Sequence, residues 1–248
     1  MKLIQITDTH IYRDPEHTQS DINNYTSLSR LLDKMKQTEW PVDAILATGD
    51  LSHDASTESY QLLHDALSEL NVPVFCLPGN HDDVNTMRAV LDGETIISTE
   101  RSLLGDWQLI MIDSCLPGEV AGQVSERQLF AIKKHLDQYP DMPALVCIHH
   151  PPIKLNSTWL DDVALKTPEN LLNMLEEHAQ VKALLFGHAH QEYASNFAHF
   201  AIYGTPSTCR QFKPECEDFE IDSAMPGYRV LELAKDGSVT THVKRVCV

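Results

Sequence analysis

The sequence predicts a mixed α/β protein built on largely parallel strands and closed by an antiparallel tail. Three observations carry that expectation. Short apolar runs alternate with amphipathic helical patterns as far as residue 190, as expected of strands joined by right-handed helical crossovers. Beyond that point the pattern changes to strands separated by short turns. Five of the apolar runs end in clusters of Asp, Asn and His, at the strand ends where open α/β sheets place ligands.

The elements follow in order. KLIQIT (2–7) is a strand. TSLSRLLDKMKQ (26–37) puts Leu28, Leu31, Leu32 and Met35 on one helical face. DAILATGD (43–50) is the next strand, and SYQLLHDALSEL (59–70) a helix with Leu62, Leu63, Ala66, Leu67 and Leu70 in register. VPVFCLPGN (72–80) is again strand-like. SLLGDWQLIMIDS (102–114) predicts two strands turning at Gly105-Asp106. SERQLFAIKKHLDQY (125–139) opens with a Ser-x-x-Gln capping box and predicts a helix. Strand ALVCIHH (144–150), helix TPENLLNMLEEHA (167–179) with Pro168 in its first turn, and strand VKALLFGHAH (181–190) restore the alternation. NFAHFAIYGTPS (196–207) and GYRVLELAKDGSVTTHVKRV (227–246) predict antiparallel strands, the second a hairpin turning at Asp236-Gly237. No repeat or linker interrupts the pattern, and one domain spanning 1–248 is the simplest organisation.

Composition removes several classes. The 248 residues carry 19 basic and 36 acidic side chains, a net charge of −17. A partner with a long phosphate backbone needs a basic groove, so a nucleic acid polymer is not expected. A small nucleotide remains compatible, because bound cations reverse the field inside one cleft. The six cysteines form no CxxC pair and predict buried, reduced thiols. No apolar run is long enough to span a bilayer, and MKLIQITDTH runs directly into a strand. A cytoplasmic protein without a membrane partner is expected.

The polar clusters are Asp8-Thr9-His10, Gly49-Asp50, Gly79-Asn80-His81-Asp82, His149-His150 and Gly187-His188-Ala189-His190. Each alone has an ordinary explanation as a turn, a helix cap or a surface histidine. Together, each following an apolar run, they bring imidazole, carboxylate and amide groups to one rim. Without thiolates, that set suits divalent zinc, iron or manganese. The set is too large for one ion and suits two sharing a carboxylate. Asp8 and His10, two residues apart in an extended chain, would share a face. Glycines before Asp50, Asn80 and His188 permit close backbone approach.

The series Asp8-x-His10, Gly49-Asp50, Gly79-Asn80-His81-Asp82, His149-His150-Pro151-Pro152 and Gly187-His188-Ala189-His190 resembles the calcineurin-like metallophosphoesterases. TPSTCRQFKP (205–214) and PGYRVLEL (226–233) resemble the tail of bacterial class III 3′,5′-cyclic-AMP phosphodiesterases. The resemblance implies two packed mixed β-sheets flanked by helices, a four-layer αββα sandwich. It implies a metal-dependent phosphodiesterase with two divalent ions, iron or manganese first and zinc as an alternative. Asp8, His10 and His190 would hold one ion, Asn80, His149 and His188 the other, and Asp50 would bridge them. His81 would be the catalytic acid, with Asp82 orienting it. Asn80, His81 and His190 would also meet the substrate phosphate. His150 would stand behind the ligands.

On that resemblance, a hydroxide bridging the ions would attack the phosphorus of a cyclic nucleotide, 3′,5′-cyclic AMP yielding 5′-AMP. The same chemistry on a glycerophosphodiester, a phosphomonoester or a dinucleotide polyphosphate is the alternative. A scaffold without turnover would have lost Asp50, Asn80 or His81, and all three are present. Trp159, in a loop-like segment, offers a ring to a base or to packing. The remaining histidines, 17, 53, 64, 135, 178, 199 and 242, are expected on the surface or on helices, with His53 the first candidate exception.

Overall fold

Residues 1–19 and 21–247 are described by the computed structural model. From β1 (Lys2–Ile6) the chain crosses through α1 (Asn24–Thr38) to β2 (Ala44–Thr48), and through α2 (Thr57–Ser68) to β3 (Val74–Leu77). Helix α3 (Val84–Leu91) leads to the short β4 (Ile96–Ile97). The hairpin of β5 (Arg101–Leu104) and β6 (Trp107–Ile112) precedes α4 (Glu126–Gln138) and β7 (Ala144–Ile148). The one-turn α5 (Thr158–Asp161) and α6 (Pro168–Glu176) lead to β8 (Val181–Phe186), followed by β9 (Tyr193–Phe197) and β10 (Phe200–Gly204). The tail contributes β11 (Gly227–Leu233) and β12 (Val239–Arg245).

The strands form two six-stranded sheets, ordered β12-β11-β1-β2-β3-β4 and β9-β10-β8-β7-β6-β5. β1 to β4 run parallel in the first sheet, with β11 and β12 added antiparallel at one side. β6, β7, β8 and β10 run parallel in the second, with β5 and β9 antiparallel at the two edges. Side-chain alternation explains why the sheets stack. Leu3, Leu46, Phe75, Leu109, Leu145, Cys147 and Leu185 face one another between the sheets. Their neighbours Ile4, Ile45, Val74 and Cys76 face α1, α2 and α3 instead. Val146, Ile148, Leu184 and Phe186 face α4 and α6. A strand covered on both faces is apolar at every position, which is why the sequence reads as continuous apolar runs.

The four-layer expectation therefore holds, with one refinement. The strands carrying the five polar clusters are not neighbours in one sheet. β1, β2 and β3 belong to the first sheet, β7 and β8 to the second. Stacking brings both sets of carboxyl ends to a common rim. Just beneath that rim, the buried Gln5 joins the layers: its Nε2 donates to Thr48 Oγ1 (2.8 Å) and the Phe186 carbonyl (3.3 Å), and its Oε1 accepts from Thr205 Oγ1 (2.5 Å).

The helix termini follow their sequence signals. Ser125 and Gln128 form both halves of the capping box on α4, and Pro168 occupies the first turn of α6. Helix α3 is an addition to the sequence expectation. It is two turns long, buries only Met87 and Leu91, and is capped by Asp83, whose carboxylate accepts from Thr86 N. So short a helix leaves little periodicity to detect. No described helix is long and apolar enough to cross a membrane.

Candidate metal centre

The loops after β1, β2, β3, β7 and β8 bring the predicted ligands together in two groups. Asp8, His10 and His190 converge in one; Asp50, His149 and His188 in the other. In the first, His190 Nε2 lies 3.3 Å from Asp8 Oδ1 and 3.2 Å from His10 Nε2. In the second, His149 Nε2 lies 3.4 Å from Asp50 Oδ1. Asp50 turns its other oxygen, Oδ2, toward His10 Nε2 at 3.5 Å. One carboxylate thus presents one oxygen to each group.

The route to this convergence differs from the expected one. Asp8 and His10 do not share the face of an extended strand. Both are left-handed, with φ of 53° and 44°, as are Asp50 (49°), His188 (61°) and His190 (50°). Five non-glycine residues in that region concentrate backbone strain on the rim. The glycines contribute close approach. A Cβ on Gly187 would collide with Thr7 Oγ1 and the Asp8 carboxylate, and one on Gly79 with the Asp50 carboxylate. Backbone bonds stitch the loops together, from Asp8 N to the Gly49 carbonyl and from His10 N to the Asp50 carbonyl, both at 2.9 Å.

The donor set fits divalent cations. His149 Nδ1 donates to the Thr48 carbonyl (2.9 Å) and His190 Nδ1 to the Arg210 carbonyl (2.8 Å). With Nδ1–H committed to a carbonyl, Nε2 is the atom that each ring turns toward the centre. Asn80 Oδ1, His149 Nε2 and His188 Nε2 are buried without a hydrogen-bond partner among the described residues. Three orphaned atoms belonging to the expected second-ion ligands are costly unless a cation meets them.

Electrostatics agree. Burial holds His10 well below the ordinary histidine range, and does the same for His188 with help from His150 and His149, so both stay neutral. Burial would raise the Asp50 carboxyl, but His149, His10 and His81 hold it well below the usual range. Burial would likewise lower His149, yet Asp50 and Asp8 push it up to about 9. A proton on His149 thus occupies the place an ion would take.

His81 stands beside this centre, half-buried, its ring edge-on to that of His10 at 4.8 Å. No hydrogen bond joins Asp82 to the His81 ring among the described residues. The Asp82 carboxylate accepts from Leu51 N (3.0 Å), Ser52 N (2.9 Å), Gly79 N (2.9 Å) and Tyr60 Oη (2.9 Å). It therefore ties the Asp50 loop to the Asn80 loop, and the expected ring-orienting role is corrected to a loop clamp. Burial and the nearby Asp50 charge push its carboxyl up to about 6. His150 accepts from Ser114 Oγ (2.8 Å) and donates to the Val120 carbonyl (2.9 Å), which anchors the 113–124 loop behind His149.

The chain belongs to the calcineurin-like phosphoesterase family. That family's model matches residues 1–192. The 3′,5′-cyclic adenosine monophosphate phosphodiesterase CpdA of Haemophilus influenzae is 39% identical over 247 residues, covering 99% of this chain and 90% of the relative. Those of Vibrio vulnificus and Escherichia coli are 37% and 35% identical over the same shares. Among solved structures, a dimetal phosphatase from Danio rerio superposes with a TM-score of 0.66 at 14% identity, covering 93% of this chain and 94% of that one. A yellow lupin purple acid phosphatase gives 0.64 at 12%, covering 98% and 51%.

This calcineurin-like phosphoesterase has site features that its motifs did not reveal. His53 is not a surface histidine; it lines a cleft over the centre with His10, His81 and His190. Arg210 and Gln19 close one end, and Phe212 and Phe219 line another wall. Arg210 Nη2 donates to Gln19 Oε1 at 2.7 Å, and Arg210 has no carboxylate partner among the described residues. Phe212 stacks flat on His190 at 3.9 Å. Trp159 packs edge-on behind Phe212 and Phe219 rather than lining the cleft. The quoted stretch TPSTCRQFKP contains Arg210 and Phe212, but no spacing rule singles them out.

Proposed function

We propose that the protein hydrolyses 3′,5′-cyclic AMP to 5′-AMP at this centre. Asp50, with one oxygen toward each ligand group, is the observation that carries a two-ion hydrolase. The names of the relatives carry the substrate. Asp8, His10 and His190 would hold one ion, Asn80, His149 and His188 the second, and Asp50 would join them. When bound, two divalent ions supply Lewis acidity to the phosphoryl oxygens and lower the pKa of water. Imidazole, carboxylate and amide donors suit iron or manganese, and zinc accepts the same set; elemental analysis of protein purified without added metal decides among them.

The chain's own residues do the rest. Neutral Asn80, in place of a third carboxylate, keeps the centre cationic enough for a phosphodiester anion. Asn80, His81 and His190 border the phosphate, and the Arg210 cation, with no carboxylate partner among the described residues, draws the anion into an otherwise acidic protein. Phe212 and Phe219 offer apolar faces to the base. Hydrolysis joins a water oxygen to phosphorus and breaks the bond to the 3′-oxygen. That alkoxide is a poor leaving group, and His81 Nε2–H gives it a proton while Nδ1–H faces the His53 carbonyl.

The test is one panel on metal-reconstituted protein: cyclic AMP, cyclic GMP, 2′,3′-cyclic AMP, bis(p-nitrophenyl) phosphate and p-nitrophenyl phosphate. Preference for cyclic AMP supports the reading. Preference for the monoester replaces it with the phosphomonoesterase alternative.

A further inference from the structure

We propose that His53 is the positioning residue for His81, holding the acid's ring by stacking rather than by a carboxylate. The proposal rests on the reading above only in taking His81 as the proton donor. Asp82, the adjacent acid, spends its oxygens on the Leu51, Ser52 and Gly79 N–H groups and the Tyr60 hydroxyl. The polar contact recorded for the His81 ring among the described residues is Nδ1 to the His53 carbonyl at 3.4 Å, too long to fix a ring by itself. The His53 imidazole lies flat against the His81 ring, centroids 4.7 Å apart and planes 28° from parallel.

His53 is itself backed. The Tyr12 ring leans against it, centroids 4.4 Å apart and planes 33° from parallel, and His17 leans against Tyr12 at 3.9 Å and 35°. The Tyr12 hydroxyl donates to Gln19 Oε1 at 2.7 Å, and His53 N donates to the Ile11 carbonyl at 2.9 Å. The result is a column of four rings, His17, Tyr12, His53 and His81, anchored at both the side chain of Tyr12 and the backbone of His53. Such a series of ring contacts resists rotation of the His81 ring, which lines the cleft. A proton donor displaced by an ångström loses much of its effect.

His53 Nδ1 also lies 3.3 Å from His10 Nδ1, so a role in supporting the metal ligand is the competing account. Leaving-group dependence separates the two. A nitrophenolate departs without a proton, whereas the 3′-alkoxide of a cyclic nucleotide does not. Support for His10 would affect both substrates equally. Positioning of His81 affects the alkoxide substrate more.

The experiment measures kcat on cyclic AMP and on bis(p-nitrophenyl) phosphate, with metal content by elemental analysis. His53→Ala should lower the ratio of the two rates by about 10-fold to 100-fold, at an unchanged KM for cyclic AMP. His53→Phe, which keeps a flat ring, should hold the ratio within about 3-fold of the wild type. In a His81→Ala background, His53→Ala should add nothing to the loss on cyclic AMP. An unchanged ratio, or an additive loss in that background, overturns the proposal. Should His53→Ala not fold, Tyr12→Leu must shift the ratio in the same direction, and no shift overturns it. Should the wild type reject cyclic nucleotides, the functional reading falls, and the same ratio is taken with a glycerophosphodiester as the alkoxide substrate.

Discussion

The two ends of the β-sandwich treat buried charge in opposite ways. At the amino end of β1, the Glu39 carboxylate is met by cations of the chain itself. Lys2 Nζ lies at 2.8 Å and Lys244 Nζ closer still, while the Thr38 and Tyr228 hydroxyls complete its shell at 3.1 and 3.4 Å. At the carboxyl end, Asp8 and Asp50 are met by imidazoles, and Asn80 Oδ1, His149 Nε2 and His188 Nε2 are buried with no hydrogen-bond partner among the described residues. The backbone there is left-handed at Asp8, His10, Asp50, His188 and His190. The Glu39 carboxylate is paired on folding. The carboxyl end is complete only when divalent cations are added, so strain and desolvation concentrate where the chemistry is.

Removing the shared carboxylate breaks the contrast most severely. Asp50→Ala should lower turnover on the order of 10⁴-fold, the scale of losing an essential member of a catalytic unit. Metal content, measured on the same sample, should fall for both ions, since Asp50 faces both groups. Retention of two ions per chain would deny Asp50 the bridging position. His81→Ala should cost about 10²- to 10⁴-fold with metal content unchanged. Wild-type turnover in that variant would remove His81 from proton delivery.

The contrast also explains what was legible. Ligand motifs follow apolar runs, and both features survive in one dimension. Leu28, Leu31, Leu32 and Met35 announce α1, and all four are buried. His53 and Arg210 announce nothing, because each is one residue in a loop and reaches the cleft only through the stacking of two sheets. The left-handed conformations of Asp8 and His10 were likewise hidden, since Asp and His take up extended or left-handed backbone according to context. The Glu39 cluster joins residues from β1, the end of α1, β11 and β12, separations that no local pattern records.

Metal removal sharpens the comparison at intermediate cost. Each ion that binds the folded chain alone stabilises it by about 2.7 kcal/mol at a free concentration of a hundred times its Kd. Chelation should therefore lower Tm by roughly 5–10 °C per ion removed for a chain of this size, and re-addition should restore it. Binding should also release protons. In the metal-free protein His149 is raised to about 9, so at neutral pH it is protonated and must lose that proton to ligate. Affinity should then rise with pH until about 9 and level off. Titration calorimetry in buffers of different ionisation enthalpy measures the release; no dependence on buffer would contradict the His149 assignment.

The satisfied end should give the smallest effect and leave chemistry alone. Glu39 is almost wholly buried, but Lys2 and Lys244 are partly exposed, so solvent screens the pairs. Glu39→Gln should cost about 1–3 kcal/mol, with kcat unchanged because the cluster lies at the opposite end of β1 from Asp8. Burial alone would raise the Glu39 carboxyl, but Lys2, Lys244 and Thr38 lower it from 4.5 to about 2. A depressed folded-state pKa contributes stability that is full above 4.5 and is lost as pH falls toward 2. Urea unfolding of wild type and Glu39→Gln should therefore show a constant gap from pH 7 to 5 that narrows below pH 4. A gap that persists or widens in acid would mean that Glu39 contributes through packing, and that the two ends differ less in electrostatics than their geometry indicates.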